Sequence, residues 1–162
     1  MRAVVFKKSL PITDPEALAD VELPRPEPDG RDLLVKVEAV SVNPVDTKVR
    51  RGGDPAGGIR VLGWDAAGTV EAVGPAATLF KRGDAVFYAG SLVRSGANAE
   101  YHLVDERIVG RKPSSLSFTE AAALPLTAIT AWELLFDRIG VEPGDAADRR
   151  SLLVVGGAGG VA

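Results

Sequence analysis

The residues best suited to chemistry lie at the end of the sequence, in a glycine-rich run from Gly156 to Ala162. From Gly157 onward the spacing is G-x-G-x-x-A, a variant of the dinucleotide-binding fingerprint. Glycines allow a tight turn and let backbone N–H groups approach a pyrophosphate, and a small final residue lets the next helix pack closely. The pattern predicts a dinucleotide site at Gly157, Gly159, Gly160 and Ala162, and its alternative is a flexible glycine-rich tail.

Metal chemistry has few candidate ligands in this chain. The sequence has no cysteine, which excludes a thiolate metal site and a disulfide scaffold, and His102 is its one histidine. A zinc site would need His102 with carboxylates alone, so we predict no metal site. We expect His102, on a predicted strand, to be a surface or hydrogen-bonded residue without a catalytic role.

Particular elements must position the glycine run. Leu152–Val155 is a continuous apolar segment, which predicts a strand buried on both faces of a parallel sheet. Before it, apolar residues recur at helical spacing from Ile129 to Ile139 and predict one helix with an apolar face, ending near Gly140. Ser117 and Glu120 form a capping-box pattern that predicts a short helix ending before Pro125.

The first hundred residues are typical of short strands separated by Gly/Pro turns. Alternating apolar residues and high β-branched content predict a strand over Leu33–Val42. Glycines within 61–73 predict bent strands or bulges, and the glycines of 50–58 predict a loop. Such short, bent strands favour a small barrel or sandwich. Further strands are predicted at Arg2–Lys7, Ala85–Tyr88 and Ala99–Val104.

Composition limits the partners and the location. The 162 residues are 46% hydrophobic and 25% charged, which is typical of a globular protein, and the net charge of −3 argues against general nucleic-acid binding. No apolar run approaches the roughly 20 residues of a membrane span, and the N-terminus lacks a signal-peptide pattern. We expect a cytoplasmic protein that binds neither nucleic acid nor membrane.

Several segments, in order along the chain, resemble the medium-chain dehydrogenase/reductase superfamily, in particular its zeta-crystallin-like quinone oxidoreductases. Each segment is modestly specific, and their shared order carries the resemblance. The segments are VNPVDTK at 42–48, GWDAAGTV at 63–70, GDAVFY at 83–88, AEY at 99–101, AAALP at 121–125 and the glycine run at the end.

The resemblance implies a mixed fold, with a GroES-like β-barrel catalytic domain followed by a Rossmann α/β domain. We expect 1–125 to form the GroES-like domain and 126–162 to be the start of the Rossmann domain, with its first helix and strand. In the family, a segment after the Rossmann domain completes the barrel. The chain is therefore expected to be the truncated front portion of a protein roughly twice as long.

The activity implied by the resemblance is NADPH-dependent reduction of quinones or α,β-unsaturated carbonyls. Zinc-dependent relatives bind catalytic zinc through Cys, His and Cys at positions that correspond to Asn43, Trp64 and Leu126 here. Trp and Leu cannot ligate zinc and Asn ligates it poorly, so a zinc-independent enzyme is expected. Hydride would come from the nicotinamide, and hydrogen-bond donors would stabilise the developing charge on oxygen.

The resemblance also assigns candidate catalytic residues. Asn43 is expected to line the nicotinamide and substrate pocket, Asp46 to support its loop, and Thr130 to contact the nicotinamide carboxamide. The alternatives are an Asx turn at Asn43, a solvated carboxylate at Asp46 and a hydroxyl of Thr130 bonded back to its own helix. Asp65 stands at an acidic position of the family's pattern and is expected to be structural.

Two other functions remain open at this point: a non-catalytic GroES-like binding or assembly module, and a truncated, inactive product. The 162-residue chain is expected to bind NADPH weakly or not at all, because the fingerprint lacks its helix. An apolar edge at Leu152–Val155 favours pairing with another chain, so a homo-oligomer is expected.

Overall fold

The computed structural model describes residues 1–143 and 151–161. Within them, eight strands form two antiparallel sheets, one of three strands and one of five. The strands are β1 (Arg2–Phe6), β2 (Ala19–Glu22), β3 (Asp32–Ser41), β4 (Arg60–Val61), β5 (Asp65–Val73), β6 (Ala85–Ala89), β7 (Tyr101–Asp105) and β8 (Val109–Arg111). The helices are α1 (Pro44–Arg51), α2 (Phe118–Ala122) and α3 (Pro125–Trp132), with a 3-10 turn at Glu106–Ile108 and a π-helical segment at Glu133–Arg138.

The larger sheet has the order β7-β3-β5-β6-β8, and the smaller has the order β2-β1-β4. The pairing of β3 with β5 shifts register twice, as the glycines of 61–73 predict. Gly68 lies at one of these irregularities, where a Cβ atom would collide with the carbonyl oxygen of Lys36. Only glycine permits this close approach of the two strands.

The segment just before β7 joins the two sheets. Ala3 of β1 forms a bridge with Ala99, and Val4 N–H donates to the Asn98 carbonyl at 2.8 Å. On the other side, Val37 N–H of β3 donates to the Glu100 carbonyl at 3.0 Å. These bonds join the two sheets. The larger sheet contributes a buried core of Leu33, Val35, Val70, Val86 and Tyr88, among others. The predicted β-rich domain is thus observed.

Helix α2 covers one face of the larger sheet. Its alanines Ala121 and Ala122 are buried against Ala67 of β5. The capping box predicted from the sequence is present: Ser117 Oγ accepts from Glu120 N–H, and Glu120 Oε2 accepts from Ser117 N–H at 2.8 Å. The helix ends before Pro125, as predicted.

The prediction of one regular helix over Ile129–Ile139 is wrong in its second half. Helix α3 ends at Trp132, and a π-helical segment follows in which Ile139 N–H donates to the Leu134 carbonyl at 2.9 Å. Ile129 and Trp132 are more than half exposed. The apolar face therefore has little to pack against in the part of the chain that the structure describes.

The prediction of a buried strand at Leu152–Val155 is also wrong. These residues are exposed and irregular, and Val155 to Ala158 form turns. A strand is stable only where neighbours accept its backbone hydrogen bonds and cover its faces, and no described strand lies beside this one. Ala162, the last position of the fingerprint, and residues 144–150 lie outside the described residues. The domain boundary at 125 stays a prediction.

Among the described residues, no helix has the length and apolar character needed to cross a membrane.

Candidate active site

Asn43 is held at the N-terminus of α1. Its backbone N–H donates to Asp46 Oδ2 at 2.7 Å, the contact that an acidic residue makes at the third position of a helix. Pro44 occupies the first turn, where its missing N–H costs nothing. Helix α1 is not among the elements predicted from the sequence, which include only a loop over 50–58, although the pattern Asn43-Pro-x-Asp46 is a helix-start signal.

Asp46 also ties α1 to the chain before β5. Its Oδ1 accepts from the Gly63 N–H at 2.9 Å, and its side chain is buried. Gly63 has a φ of +91°, and a Cβ there would collide with the Asn98 side chain, so glycine is required at this position. Both carboxylate oxygens of Asp46 bind backbone N–H groups. The structure thus places Asp46 as a supporting residue for the Asn43 region, and not as a solvated carboxylate.

Asp65 joins the two elements of the site. It opens β5, is fully buried, and accepts two hydrogen bonds: Oδ2 from Asn43 Nδ2 and Oδ1 from Leu126 N–H, each at 2.8 Å. Burial raises the pKa of the Asp65 carboxyl, and the hydrogen bonds from Asn43 and Leu126 act in the opposite direction. Sequence reasoning expected a structural role for Asp65 but not this bridge.

Trp64 lies beneath α1 as a core residue. It is 1% exposed and packs with Phe6 and Leu62, with Val45 and Val49 of α1 partly buried against the same cluster. Its indole Nε1 is buried and has no hydrogen-bond partner in the described part of the chain. The bulky ring therefore supports α1 through its contacts with Val45 and Val49.

Thr130 lies on α3, one turn beyond Leu126. Its side chain is exposed, and its hydroxyl donates to the Leu126 carbonyl at 2.7 Å. The hydroxyl oxygen keeps its capacity to accept a hydrogen bond. The Asp65 bridge therefore brings Asn43 to the beginning of the helix that carries Thr130, but no described bond joins Thr130 to Asn43.

The glycine run lies near α3. Gly157, Gly159 and Gly160 are exposed in turns, and Gly159 N–H donates to the Gly156 carbonyl at 2.8 Å. A Cβ atom at Gly160 would meet the Thr127 methyl group at 3.8 Å, and one at Gly156 would meet nothing within 4 Å. The backbone of this run is accessible to a ligand on the side away from α3.

His102 is a buried residue of β7. Its Nε2 contacts the Ser95 carbonyl at 2.9 Å and its Nδ1 contacts the Tyr88 hydroxyl at 3.0 Å. A carbonyl oxygen can only accept, so Nε2 carries the proton and Nδ1 accepts from Tyr88. Burial lowers the pKa of His102 to about 4 and raises that of Tyr88. His102 is thus neutral and hydrogen-bonded, which confirms the second of the two alternatives from the sequence.

The residues at the three positions that correspond to zinc ligands do not fit a zinc ion. Asn43 presents its Nδ2, a hydrogen-bond donor, to Asp65, while Trp64 and Leu126 have no metal-binding atom. In the described ranges, no three His, Cys, Asp or Glu residues are grouped closely enough to hold a metal ion.

Comparison with known proteins places these features in a family. Residues 29–114 match the alcohol dehydrogenase GroES-like domain. The chain is 47% identical over 162 residues to a zinc-type alcohol dehydrogenase-like protein of Staphylococcus aureus, covering 99% of this chain and 48% of that protein. It is 35% identical over 150 residues to the chloroplastic quinone-oxidoreductase homolog of Spinacia oleracea, covering 90% and 46%. The chain thus spans about half the length of the curated relatives it matches.

Solved structures show the same relationship. A protein of Rhizobium etli named after the zinc-dependent alcohol dehydrogenases is 62% identical, with a TM-score of 0.92 over 99% of this chain and 47% of that one. A mycobacterial protein solved in complex with NADPH is 34% identical, with a TM-score of 0.74 over 90% of this chain and 42% of that one.

The match over residues 29–114, the two-sheet fold and the similarity to alcohol dehydrogenase-like proteins and quinone oxidoreductases agree. The chain belongs to the alcohol dehydrogenase GroES-like domain family, within the medium-chain dehydrogenase/reductase superfamily of oxidoreductases.

Proposed function

We propose that this chain is the catalytic-domain portion of an NADPH-dependent, zinc-independent reductase of quinones or α,β-unsaturated carbonyls. The observation that carries the proposal is the arrangement of Asn43, Asp65 and Leu126. The buried carboxylate of Asp65 fixes the Asn43 side-chain amide and the Leu126 backbone N–H. Asn43 and Leu126 stand at positions where zinc-dependent relatives bind their metal. This arrangement offers hydrogen bonds to a ligand and no Lewis acid.

Quinones and enones suit such a site. Two-electron reduction of either develops negative charge on an oxygen, which N–H and O–H donors can stabilise in a dry site. Asn43 has a second Nδ2–H beyond the one given to Asp65 and can donate it to that oxygen. The Thr130 hydroxyl gives its hydrogen to the Leu126 carbonyl, and its oxygen can accept from the nicotinamide carboxamide. In this proposal Asn43 contacts substrate or nicotinamide, Asp46 holds α1, and Thr130 contacts the nicotinamide carboxamide.

NADPH would supply hydride when bound. Gly157, Gly159, Gly160 and Ala162 are proposed to receive its pyrophosphate. The exposed glycine turns leave backbone N–H groups approachable, and a similar mycobacterial structure contains NADPH. We further propose that the protein acts in the cytoplasm, as a homo-oligomer, on small-molecule substrates.

The test is an activity assay on the longest product of the reading frame that contains residues 1–162. We expect loss of NADPH absorbance with a benzoquinone or a conjugated enone as acceptor, and the same rate after dialysis against a zinc chelator. Asn43→Ala should lower kcat/KM roughly a hundredfold, in the range of a lost oxyanion-type donor. Loss of activity on chelation, or no activity with either acceptor class, contradicts the proposal.

A second candidate function is a binding module without catalysis. It is favoured by the exposed, turn-rich state of the glycine run and by the absence of a strand at Leu152–Val155 in the structure. The 162-residue chain alone should then bind NADPH weakly or not at all in calorimetry. Micromolar affinity of this chain would contradict that expectation and favour the enzyme directly.

A further inference from the structure

We infer that Asp65 is a positioning residue of this site: its carboxylate orients the Asn43 amide and fixes the first turn of α3. The effect of Asp65 on catalysis rests on the proposed function. Its effect on the positions of Asn43 and α3 rests on geometry alone. Asp65 is fully buried, so it acts through the two groups that it holds and not by contact with a substrate.

The orientation of Asn43 follows from the chemistry of the bond. An ionised carboxylate only accepts hydrogen bonds, so the nitrogen of the Asn43 amide must face Asp65 Oδ2, at 2.8 Å. The amide oxygen Oδ1 is then turned away from Asp65. The bond removes one of the two flip states of the amide and leaves the second Nδ2–H for a ligand.

The second bond gives α3 its missing cap. The residue before α3, Leu124, has no side chain able to cap the helix, and Pro125 begins it. The Leu126 N–H is one of the free donors of the first turn, and Asp65 Oδ1 accepts it from 61 residues away at 2.8 Å. A negative charge at a helix N-terminus is also favourable to the helix dipole.

Asp65 meets no compensating cation. In the described part of the chain, no ion pair includes Asp65, and its partners are the two N–H donors named above. Burying a carboxylate without a cation is costly unless hydrogen bonds compensate. The two hydrogen bonds compensate for this cost, and they fix the positions of Asn43 and α3 relative to each other.

The structural test is NMR on the 162-residue chain with Asp65→Asn and, as a matched control, Glu106→Gln, which alters a buried carboxylate elsewhere. An asparagine at 65 has one acceptor oxygen, so one of the two donors must lose its partner. We expect large shifts and faster hydrogen exchange at the Asn43 side-chain amide or the Leu126 backbone amide in Asp65→Asn only. Unchanged signals at both groups overturn the inference.

Should Asp65→Asn not fold, the wild type decides. The Asn43 side-chain amide hydrogen that faces Asp65 should exchange slowly with solvent, because it is bonded inside the protein. Rapid exchange at that group contradicts the bond.

The catalytic test is a double-mutant cycle on the longest product of the reading frame. Asp65→Asn should lower kcat/KM roughly tenfold in the wild-type background and have little effect in Asn43→Ala, because residues acting as a unit are not additive. An undiminished effect in Asn43→Ala overturns the positioning role. An inactive wild type contradicts the proposed function instead, and the NMR result still decides the geometry.

Discussion

At the scale of single residues, buried polar side chains hold this domain in place. Glu106 is fully buried; its Oε1 pairs with Arg31 at 2.7 Å, and its Oε2 accepts from the N–H groups of Thr78 and Leu79. Burial opposes the charge, but the backbone hydrogen bonds and Arg31 hold the pKa of Glu106 below its usual range. The carboxylate thereby fastens the loop before β6 to the 3-10 turn after β7.

Replacement of Glu106 tests whether its carboxylate stabilises the fold. Glu106→Gln should lower the thermal midpoint by several degrees, because a neutral amide leaves Arg31 without its counter-charge and cannot accept as well from both backbone donors. Glu100→Gln, an exposed carboxylate paired with Arg2, is the control and should leave the midpoint nearly unchanged. Equal midpoints for the two variants, measured by circular dichroism, would contradict the role of Glu106.

His102 makes stability depend on pH. Its pKa is about 4 in the fold and 6.5 in the unfolded chain, so the unfolded state binds the proton first as pH falls. The contribution of neutral His102 to the free energy of unfolding is fully present above about pH 6.5, and it is lost, by roughly 3 kcal/mol in total, as pH falls from 6.5 to about 4. Urea titrations of the wild type and His102→Gln across this range should show a flatter profile for the variant. Because the chain has one histidine, parallel profiles would contradict the assignment.

At the scale of elements, local signals were sufficient for some helices and strands. The capping box of α2 depends on two residues three positions apart, and alternating apolar residues define most of β3. The start of α1 has the same kind of signal, but Pro44 and the glycines after Arg51 favoured a loop interpretation. The Asp65 bridge could not be predicted from local sequence patterns. It joins Asp65 to Asn43, 22 positions earlier, and to Leu126, 61 positions later.

The strand predicted at Leu152–Val155 is not observed, and the reason lies in the elements that surround such a strand. Its apolar pattern describes a segment that is buried once neighbouring strands surround it, and the described residues provide none. The pattern therefore describes an environment that the described residues do not provide. The roles of Thr130, Gly157 and Gly160 stay predictions.

The cap of α1 gives a prediction for an element. Asp46→Ala removes the acceptor of both the Asn43 and Gly63 N–H groups and should destabilise the fold by about 1–3 kcal/mol. Thr47→Ala, at the next and exposed position of the helix, should change stability by less than about 0.5 kcal/mol. Denaturant unfolding followed by tryptophan fluorescence measures both, because the buried Trp64 packs against α1 and becomes exposed on unfolding, whereas Trp132 is already exposed. A neutral Asp46→Ala would show that α1 does not need its cap.

At the scale of the whole molecule, apolar surface is concentrated after residue 128. Ile129 and Trp132 are more than half exposed, and Leu153 and Val155 are 86% and 88% exposed. Apolar surface exposed at this density is typical of interaction sites. Relatives about twice as long have further chain that can cover such a surface. In a solution of this chain alone, a second copy can cover it.

We therefore expect the 162-residue chain to self-associate through this surface. Sedimentation velocity should show a concentration-dependent dimer or larger species, and Leu153→Lys with Val155→Lys should shift it toward monomer, because burying two lysines at an apolar contact is unfavourable. The control is Val93→Lys, which alters an equally exposed valine, at 93%, in the loop before β7. That variant should associate like the wild type. A chain that stays monomeric at high concentration would contradict a specific interface after residue 128. Equal loss of association in all three variants would contradict it as well.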